Sequence, residues 1–504
     1  MVEIDGCTLT PEAVEAVAGG AAVTVAPDAL QRVARSRQMV ERILREGRAV
    51  YGVSTGVGEL RTVWISPEDA AALQRNIVRS HAAGVGAPLP ESVVRAMMAL
   101  RANALALGYS GVRPLVVQTL ADMLERGVHP VIPEQGSLGA SGDLAPLAHL
   151  ALVVIGEGEA TYRGARLPGG QAMREAGLQP LVLEAKEGIA LINGTQFVSA
   201  IGVLFLLGAE RLALIADVAG ALSLEALRGT DRAFHPLLHL TRQHPGQIAS
   251  ARHLLLLLQG SERVHRSSHP GVQDAYALRC MPQVHGAVRQ ALAHLREVLT
   301  VEINSATDNP LLFPDQDEVI SGGNFHAEPL ALALDYAAMA VAELATISER
   351  RIERLVNPYL SGLPAFLTGR GGLQSGYMLA QYTAAALASE NKVLCHPASV
   401  DSIPTSANQE DHVSMGAHAA RKAAAVLRNS QQVLAIELVV AAQGIEMGEN
   451  TLALGRGTAA AYRCVRDAVP SLEDDRVLAG DFAQAMELVQ SGAILRAAEG
   501  ALGA

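Results

Sequence analysis

The chain has 504 residues, of which 49% are hydrophobic and 18% are charged, and its formal net charge is -11 at pH 7. This length and apolar content allow a large buried core, and the acidic balance without a block of Lys or Arg argues against nucleic acid and anionic membranes as partners. The four cysteines form no C-x-x-C pair, which argues against a disulfide framework or a cysteine zinc site and favours a reducing, cytoplasmic location. The N-terminus (MVEIDGCTLT) has neither a basic nor an apolar region, so we expect no signal peptide.

The first part of the chain predicts moderately short helices separated by turns. Thr10-Pro11-Glu12 is typical of a helix start, because a capping hydroxyl, a proline at the first helical position and an acid favoured by the helix dipole follow one another. Apolar periodicity predicts further helices at 28–46, 66–84, 91–107 and 113–126, and a small hairpin or loop at 160–170.

The glycine-rich stretch 136–146 (GSLGASGDLAP) carries the most specific chemistry. Its three glycines at three-residue spacing allow the backbone to fold tightly back on itself. If the N of Gly142 reaches the carbonyl carbon of Ala140, the tripeptide closes a five-membered ring. Loss of water leaves an imidazolone, and dehydration of Ser141 then adds an exocyclic methylidene. Such a group is a strong electrophile made from the chain itself.

Other interpretations of these serines and glycines are weaker. The stretch lacks G-x-x-x-x-G-K-[ST], and Asp143 would repel a phosphate. A nucleophile elbow at Ser141 lacks its last glycine, and the formal G-x-S-x-G around Ser54 is followed by Gly-Val-Gly, which is poor helix material. The residues alone leave a plain loop and a self-made electrophile open.

The second part of the chain predicts long helices rich in Ala and Leu. The uncharged run 188–209 is interrupted by Asn193-Gly194-Thr195-Gln196, so we expect a buried core helix there and not a membrane span. The predicted fold is mainly α: a mixed, loop-rich N-terminal domain (1–190) carries the glycine-rich loop, and a long-helix bundle (191–504) follows, with faces that other subunits cover. The predicted long helices lie at 195–227, 284–300, 326–356, 373–394 and 409–442.

Residues 136–150 (GSLGASGDLAPLAHL) resemble the signature of the histidine/phenylalanine ammonia-lyase family, whose Ala-Ser-Gly tripeptide cyclises to methylidene-imidazolone (MIO). The resemblance implies that MIO forms autocatalytically from Ala140, Ser141 and Gly142, and that no pyridoxal phosphate, nicotinamide or metal is required. It also implies a homotetramer with active sites shared between subunits. Similar segments recur in the same order along the chain at 51–58, 80–86, 193–196, 273–286, 321–329 and 408–416.

The same resemblance implies functional roles for residues that would not be singled out by their residue types alone. Taken alone, Tyr51 would be a loop tyrosine, Asn193 a helix cap and Arg279 a solvated surface group. The family pattern implies that Tyr51 removes the β-proton, that Asn193 contacts the substrate carboxylate or the MIO carbonyl, and that Arg279 clamps that carboxylate. It makes Tyr276 a second active-site tyrosine and Phe325 a residue that packs near the MIO.

Two short segments bear on the substrate. The phenylalanine and tyrosine branches of the family usually carry Phe-Leu or His-Leu where this chain has Ser80-His81, and a Gln-Asp pair where it has Gln-Glu-Asp-His with Glu410. A histidine and a carboxylate suit an imidazole, which has N–H donors and can be protonated. The resemblance is therefore to the histidine branch and implies conversion of L-histidine to trans-urocanate and ammonia. A helix N-terminal acid is a compatible role for Glu410.

Two alternatives remain open from the sequence. Within the family they are a tyrosine or phenylalanine ammonia-lyase, or a 2,3-aminomutase. From another class, a metal-dependent hydrolase or metal-binding helical protein would use the clustered His235, His239 and His244, although no H-E-x-x-H occurs and Pro236 and Pro245 disturb a continuous helix.

Overall fold

A computed structural model describes residues 1–56, 62–66, 68–266, 272–449 and 451–503. These residues form twenty α-helices and nine short strands, so the predicted mainly-α fold is confirmed. The helices are α1 (Pro11–Ala18), α2 (Pro27–Arg45), α3 (Ala70–His81), α4 (Glu91–Ala106), α5 (Pro114–Arg126), α6 (Leu144–Val154), α7 (Gly169–Glu175), α8 (Glu187–Ile192), α9 (Gln196–Ala226), α10 (Pro236–Leu240), α11 (Pro245–Leu257), α12 (Tyr276–Arg279), α13 (Met281–Glu302), α14 (Glu328–Val356), α15 (Pro358–Ser361), α16 (Met378–Leu394), α17 (Gly416–Met447), α18 (Arg456–Ala468), α19 (Leu478–Gln490) and α20 (Ala493–Gly500). The strands are β1 (Val2–Ile4), β2 (Val23–Val25), β3 (Val85–Pro88), β4 (His129–Pro130), β5 (Pro133–Gln135), β6 (Glu159–Tyr162), β7 (Ala165–Pro168), β8 (Leu311–Phe313) and β9 (Glu318–Ile320).

The chain forms two compact units, each assembled from three segments. The first unit comprises 1–204, 295–335 and 397–421, and the second comprises 205–294, 336–396 and 422–504. Helices α1–α8 and the described strands lie in the first unit, whereas α10–α12, α15, α16 and α18–α20 lie in the second. The predicted domain boundary between residues 190 and 191 stays a prediction.

Helix α4 is the central element of the first unit. Every residue from 94 to 106 is buried, and the helix packs against α1 and α5. A helix with this much buried surface must be enclosed, and each of its two buried arginines donates to at least one carbonyl group. Arg95 Nε donates to Val17 O at 2.7 Å, and Arg101 Nη1 donates to Asn193 O at 2.9 Å.

The strands are short and arranged in small separate sheets. β1 pairs with β2 in parallel, β3 with β5 antiparallel, and β8 with β9 as a hairpin. β4, β6 and β7 form an antiparallel sheet in which β6 and β7 are the hairpin expected at 160–170.

Local sequence signals place several helix ends correctly. Helix α1 begins at Pro11, and the Thr10 hydroxyl accepts a hydrogen bond from Ala13 N at 3.2 Å. Helix α5 ends at Arg126 because Gly127 takes a left-handed conformation with φ 73°. The helix predicted at 66–84 is shorter, since α3 spans Ala70–His81; Pro67, part of its expected start, lies outside the described residues.

The helix predicted at 409–442 begins later than expected. Helix α17 starts at Gly416 because Ser406, Ala407, Asn408 and Met415 have φ between 52° and 67°, which a right-handed helix does not allow. Glu410 therefore lies in an irregular segment ahead of the helix, and its expected position as a helix N-terminal acid is wrong.

In the second unit a buried carboxylate joins three of the long helices. Glu437 on α17 accepts two hydrogen bonds from the Arg351 guanidinium, at 2.5 and 2.8 Å. The hydroxyls of Ser223 and Ser348 donate to the same carboxylate at 2.6 Å each. Helix α18 packs against α11, α19 and α20, elements that were not predicted from the sequence.

Two helices, α9 and α14, are long and apolar enough to cross a membrane by length and composition alone. In their most apolar windows the mean hydropathy is 1.9 and 1.6, and 78% and 67% of those windows are buried inside the protein. Burial of this extent is typical of core helices, as expected for 188–209.

Candidate active site

A cavity of about 940 Å³ lies within the first unit. Its described lining residues come from separate stretches of the chain between residues 51 and 410, and the predicted Ala140 and Gly142 flank the lining residue Ser141. The predicted site residues that line the cavity are Tyr51, His81, Ser141, Asn193, Phe325 and Glu410.

The backbone around Gly142 has room for glycine alone. Gly142 has φ 75° and pairs with Gly194 in an isolated β-bridge. A Cβ atom added at Gly142 would lie 2.3 Å from Gly194 O, and a left-handed φ would add strain to any other residue. The tripeptide is therefore held in a tight turn against the segment that precedes α9.

Asp143 ties the end of this turn to the start of α9. Its Oδ2 accepts hydrogen bonds from Phe197 N at 2.9 Å and Val198 N at 3.0 Å, and its Oδ1 accepts one from Ser137 Oγ at 3.2 Å. Burial raises the pKa of the Asp143 carboxyl to about 7, although these hydrogen bonds lower it. No functional role was predicted for Asp143 from the sequence. The signal that could have indicated one was its position between the tripeptide and an apolar helix.

Asn193 binds the carbonyl in the middle of the tripeptide. Its Nδ2 donates to Ser141 O at 2.6 Å, whereas its Oδ1 is buried and has no hydrogen-bond partner among the described residues. Arg101, which the sequence did not single out, donates to both Asn193 O and Gln196 Oε1. Burial lowers the pKa of the Arg101 guanidinium to about 10. Asn193 is thus held by hydrogen bonds at its backbone carbonyl and at its side-chain nitrogen.

Glu410 contacts the hydroxyl of the same serine. Ser141 Oγ donates to Glu410 Oε1 at 2.7 Å, and Thr405 Oγ1 donates to Glu410 Oε2 at 3.0 Å. Both carboxylate oxygens are therefore engaged. Thr405 was missed because nothing in its local sequence indicates that it faces Glu410.

His81 occupies the last position of α3 with a defined ring orientation. Its Nδ1 lies 2.8 Å from Ile77 O, a carbonyl that only accepts, so Nδ1 carries the hydrogen. In the neutral ring Nε2 is then an acceptor. The residue lines the cavity together with its neighbour Ser80.

Tyr51 and Phe325 also line the cavity, and Ser54 lies in the turn that begins at Tyr51. Ser54 is buried; its Oγ donates to Arg48 O at 2.6 Å and accepts from Val50 N at 2.9 Å. A serine nucleophile needs an accessible Oγ, so this geometry argues against the hydrolase elbow. Residues 57 and 58 of the matching motif lie outside the described residues.

Tyr276 and Arg279 belong to the second unit and are not among the described residues that line the cavity. They lie at the two ends of the four-residue helix α12, with the Arg279 guanidinium 4.5 Å from the centre of the Tyr276 ring. Arg279 Nη1 donates to Gln273 Oε1 at 2.7 Å, and Tyr276 is 70% exposed. The structure therefore brings these two predicted residues together, in the unit that does not contain the cavity.

Among the histidines proposed as a metal cluster, His239 has other partners for its ring. His239 Nε2 donates to Ala233 O at 3.2 Å, and its Nδ1 accepts from Gln247 Nε2 at 2.9 Å, so both ring nitrogens are engaged. Within the described ranges, a single group brings three ligand-type atoms within 4.8 Å of one another, and it contains His326, Glu328 and His412.

Comparison with known proteins shows the family of this chain. The profile of the family described as aromatic amino acid lyase matches residues 9–467. The chain is 56% identical over 503 residues to a histidine ammonia-lyase from Symbiobacterium thermophilum, covering 100% of this chain and 99% of that protein.

Solved structures give the same result for the fold. The crystal structure of histidine ammonia-lyase from Trypanosoma cruzi matches with a TM-score of 0.92 and 46% identity, covering 99% of this chain and 95% of that one. A tyrosine aminomutase from Streptomyces globisporus matches with a TM-score of 0.94 and 40% identity, covering 98% of both chains. A match over nearly the whole length, together with the tripeptide at the cavity, identifies the chain as a carbon–nitrogen lyase that belongs to the MIO-dependent aromatic amino acid lyase family.

Proposed function

We propose that this protein removes ammonia from L-histidine to give trans-urocanate, the first step of a histidine-degrading route. The observation that carries the proposal is that His81, Glu410 and Ser141 line one cavity. An imidazole acceptor, a carboxylate and the self-processing serine suit a substrate with an imidazole at one end and an amine at the other. The relative from Symbiobacterium thermophilum, which carries that activity in its name, supports the choice of substrate.

We propose that Ala140, Ser141 and Gly142 close to MIO, and the residues present fit that group. The space at Gly142 excludes a side chain, and Asn193 Nδ2 donates to Ser141 O, the atom that would become the ring carbonyl. When formed, the methylidene supplies the electrophile that makes the substrate amine a better leaving group. The chemistry asks for no pyridoxal phosphate, nicotinamide or metal.

Side chains that line the cavity remove the β-proton and bind the imidazole. Tyr51 takes the β-proton as the general base. His81 accepts the imidazole N–H through Nε2, since its Nδ1 is committed to Ile77 O, and Glu410 holds the other side of the ring. Phe325 packs beside the tripeptide. The substrate is therefore fixed at its ring while its β-carbon is presented to the base.

The carboxylate of the substrate requires a cation, and we propose that Arg279 supplies it from a neighbouring subunit, with Tyr276 beside it. A homotetramer with shared sites accounts for apolar side chains left exposed along one face of α14, where Leu332, Tyr336 and Met339 are between 41% and 54% exposed. Large exposed apolar faces of this kind mark association surfaces. Four free cysteines support the cytoplasmic location.

The test is purified protein incubated with L-histidine, with urocanate followed by its ultraviolet absorbance and no metal or cofactor added. We expect urocanate and ammonia in equal amounts, and little product from L-tyrosine or L-phenylalanine run alongside. Formation of a β-amino acid from any of the three would indicate an aminomutase instead.

The matched control is Ser141→Ala, which keeps the turn but has no hydroxyl to eliminate. We expect it to fold and to lose nearly all turnover, because the electrophile cannot form. A Ser141→Ala protein with full activity would contradict the proposed role of the tripeptide.

A further inference from the structure

Glu410 is held with one oxygen on the hydroxyl that MIO formation must remove. Its Oε1 accepts from Ser141 Oγ at 2.7 Å across 269 residues of sequence, and its Oε2 accepts from Thr405 Oγ1 at 3.0 Å. Because each of its oxygens accepts a hydrogen bond, the carboxylate is held in one orientation beside the hydroxyl. Its position is defined before any substrate is present.

The backbone around Glu410 is shaped to make this contact. Thr405 and Glu410 pair in an antiparallel bridge, with Thr405 N donating to Glu410 O at 3.0 Å and Glu410 N donating to Thr405 O at 3.3 Å. The turn between them contains Ser406, Ala407 and Asn408, all with positive φ. Such residues cost conformational energy outside glycine, so the surrounding structure must maintain the turn.

Dehydration of Ser141 requires two proton movements at adjacent atoms. The C–H bond at Cα of Ser141 breaks and its proton must be taken up, while the bond from Cβ to Oγ breaks and the departing hydroxyl must be protonated. A carboxylate beside the hydroxyl can accept the first proton and deliver it to the second site. The new Cα–Cβ double bond keeps the electron pair of the C–H bond, and the sum of the changes is one water lost with the carboxylate regenerated.

We propose that Glu410 is the proton carrier for this dehydration, so that the carboxylate that later holds the substrate first helps to make the electrophile. This inference rests on the proposed self-processing of Ala140–Ser141–Gly142. It also explains how Glu410 can serve both purposes. When Ser141 Oγ leaves as water, Oε1 loses its hydrogen-bond donor and is free to accept one from the substrate's imidazole.

The experiment follows the mass of the tryptic fragment 127–163 at intervals after cell-free synthesis of the full chain. Fragments that have lost no water, one water and two waters correspond to the open tripeptide, the closed ring and the dehydrated ring. We expect the wild type to reach the loss of two waters. In Glu410→Gln, which keeps size and polarity but cannot carry the proton, we expect one water to be lost and the second to be lost about 100-fold more slowly.

The matched control is His81→Leu, a change in the same cavity that leaves Ser141 Oγ and Glu410 untouched. We expect this variant to lose both waters at the wild-type rate. If Glu410→Gln does not fold, Glu410→Asp provides the answer: its carboxylate is set back by one methylene, so slow but complete loss of the second water supports the proposal and an unchanged rate overturns it.

Two results in Glu410→Gln would overturn the inference. Loss of both waters at the wild-type rate would show that another group carries the proton, and loss of none in folded protein would place Glu410 in ring closure instead. Wild-type protein that loses no water would overturn the proposed function itself, so the two failures are distinguishable.

Discussion

At the residue scale, local hydrogen bonds hold both His81 and Glu410 in the lining of the cavity. His81 Nδ1–H is bound by Ile77 O, which fixes the ring, and Glu410 is fixed by Thr405. Fixed polar groups discriminate strongly, because a substrate that cannot pair with them leaves them unsatisfied. The side chains were identifiable from the sequence, but their partners were not.

Substitution of His81→Leu tests this specificity. We expect kcat/KM for L-histidine to fall about 10- to 100-fold, because the imidazole N–H loses its acceptor, and kcat/KM for L-phenylalanine to rise. Initial rates of urocanate and cinnamate formation measure both. Equal losses of kcat/KM for the two substrates would mean that His81 shapes the cavity but does not hydrogen-bond to the imidazole ring.

At the element scale, contacts between helices stabilise the fold, and the buried Arg351–Glu437 ion pair is such a contact. Both side chains are fully buried, and two serine hydroxyls complete the carboxylate's hydrogen bonds. Removing one charge of such a pair leaves the other uncompensated in the core. The pair joins α14 to α17, whose separate helical patterns gave no sign of the connection.

We expect Glu437→Gln to lower the free energy of unfolding by about 3–5 kcal/mol, since the Arg351 charge stays buried without its partner. Urea unfolding followed by circular dichroism measures the change. The control is Glu159→Gln, which breaks the exposed pair with Arg166 and should cost less than about 1 kcal/mol. Equal effects of the two variants would contradict the argument from burial.

At the scale of the whole molecule, Arg279 belongs to the second unit and the cavity to the first, and in the proposed tetramer neighbouring chains complete one another's sites. The exposed faces of α14 and α16 support association, the latter through Leu379 and Tyr382. Closed symmetric assemblies repeat such a contact at every subunit. The sequence resemblance suggested this arrangement, whereas composition alone could not.

Complementation tests the sharing of sites. Ser141→Ala and Arg279→Ala should each be inactive alone, whereas co-expressed chains should recover activity, with about a quarter of sites intact if subunits mix at random. Urocanate formation by the purified mixed assembly is the measurement. If both residues act within one chain, every chain carries one defect and the mixture stays inactive.

The sequence by itself determined the mainly helical content and the approximate bounds of helices such as α2, α4 and α5, and it indicated the possible chemistry of the tripeptide, because backbone propensity, capping and the spacing of Gly142, Ser141 and Ala140 are local properties. Only the tertiary structure decided that α17 begins after Glu410, that Glu410 meets Ser141 Oγ, and that Asp143 binds the start of α9. These contacts join distant parts of the chain, and the turn before Glu410 uses positive φ at Ser406–Asn408 without a glycine to signal it. Tertiary packing fixes both these contacts and the turn, and no local sequence pattern encodes that packing.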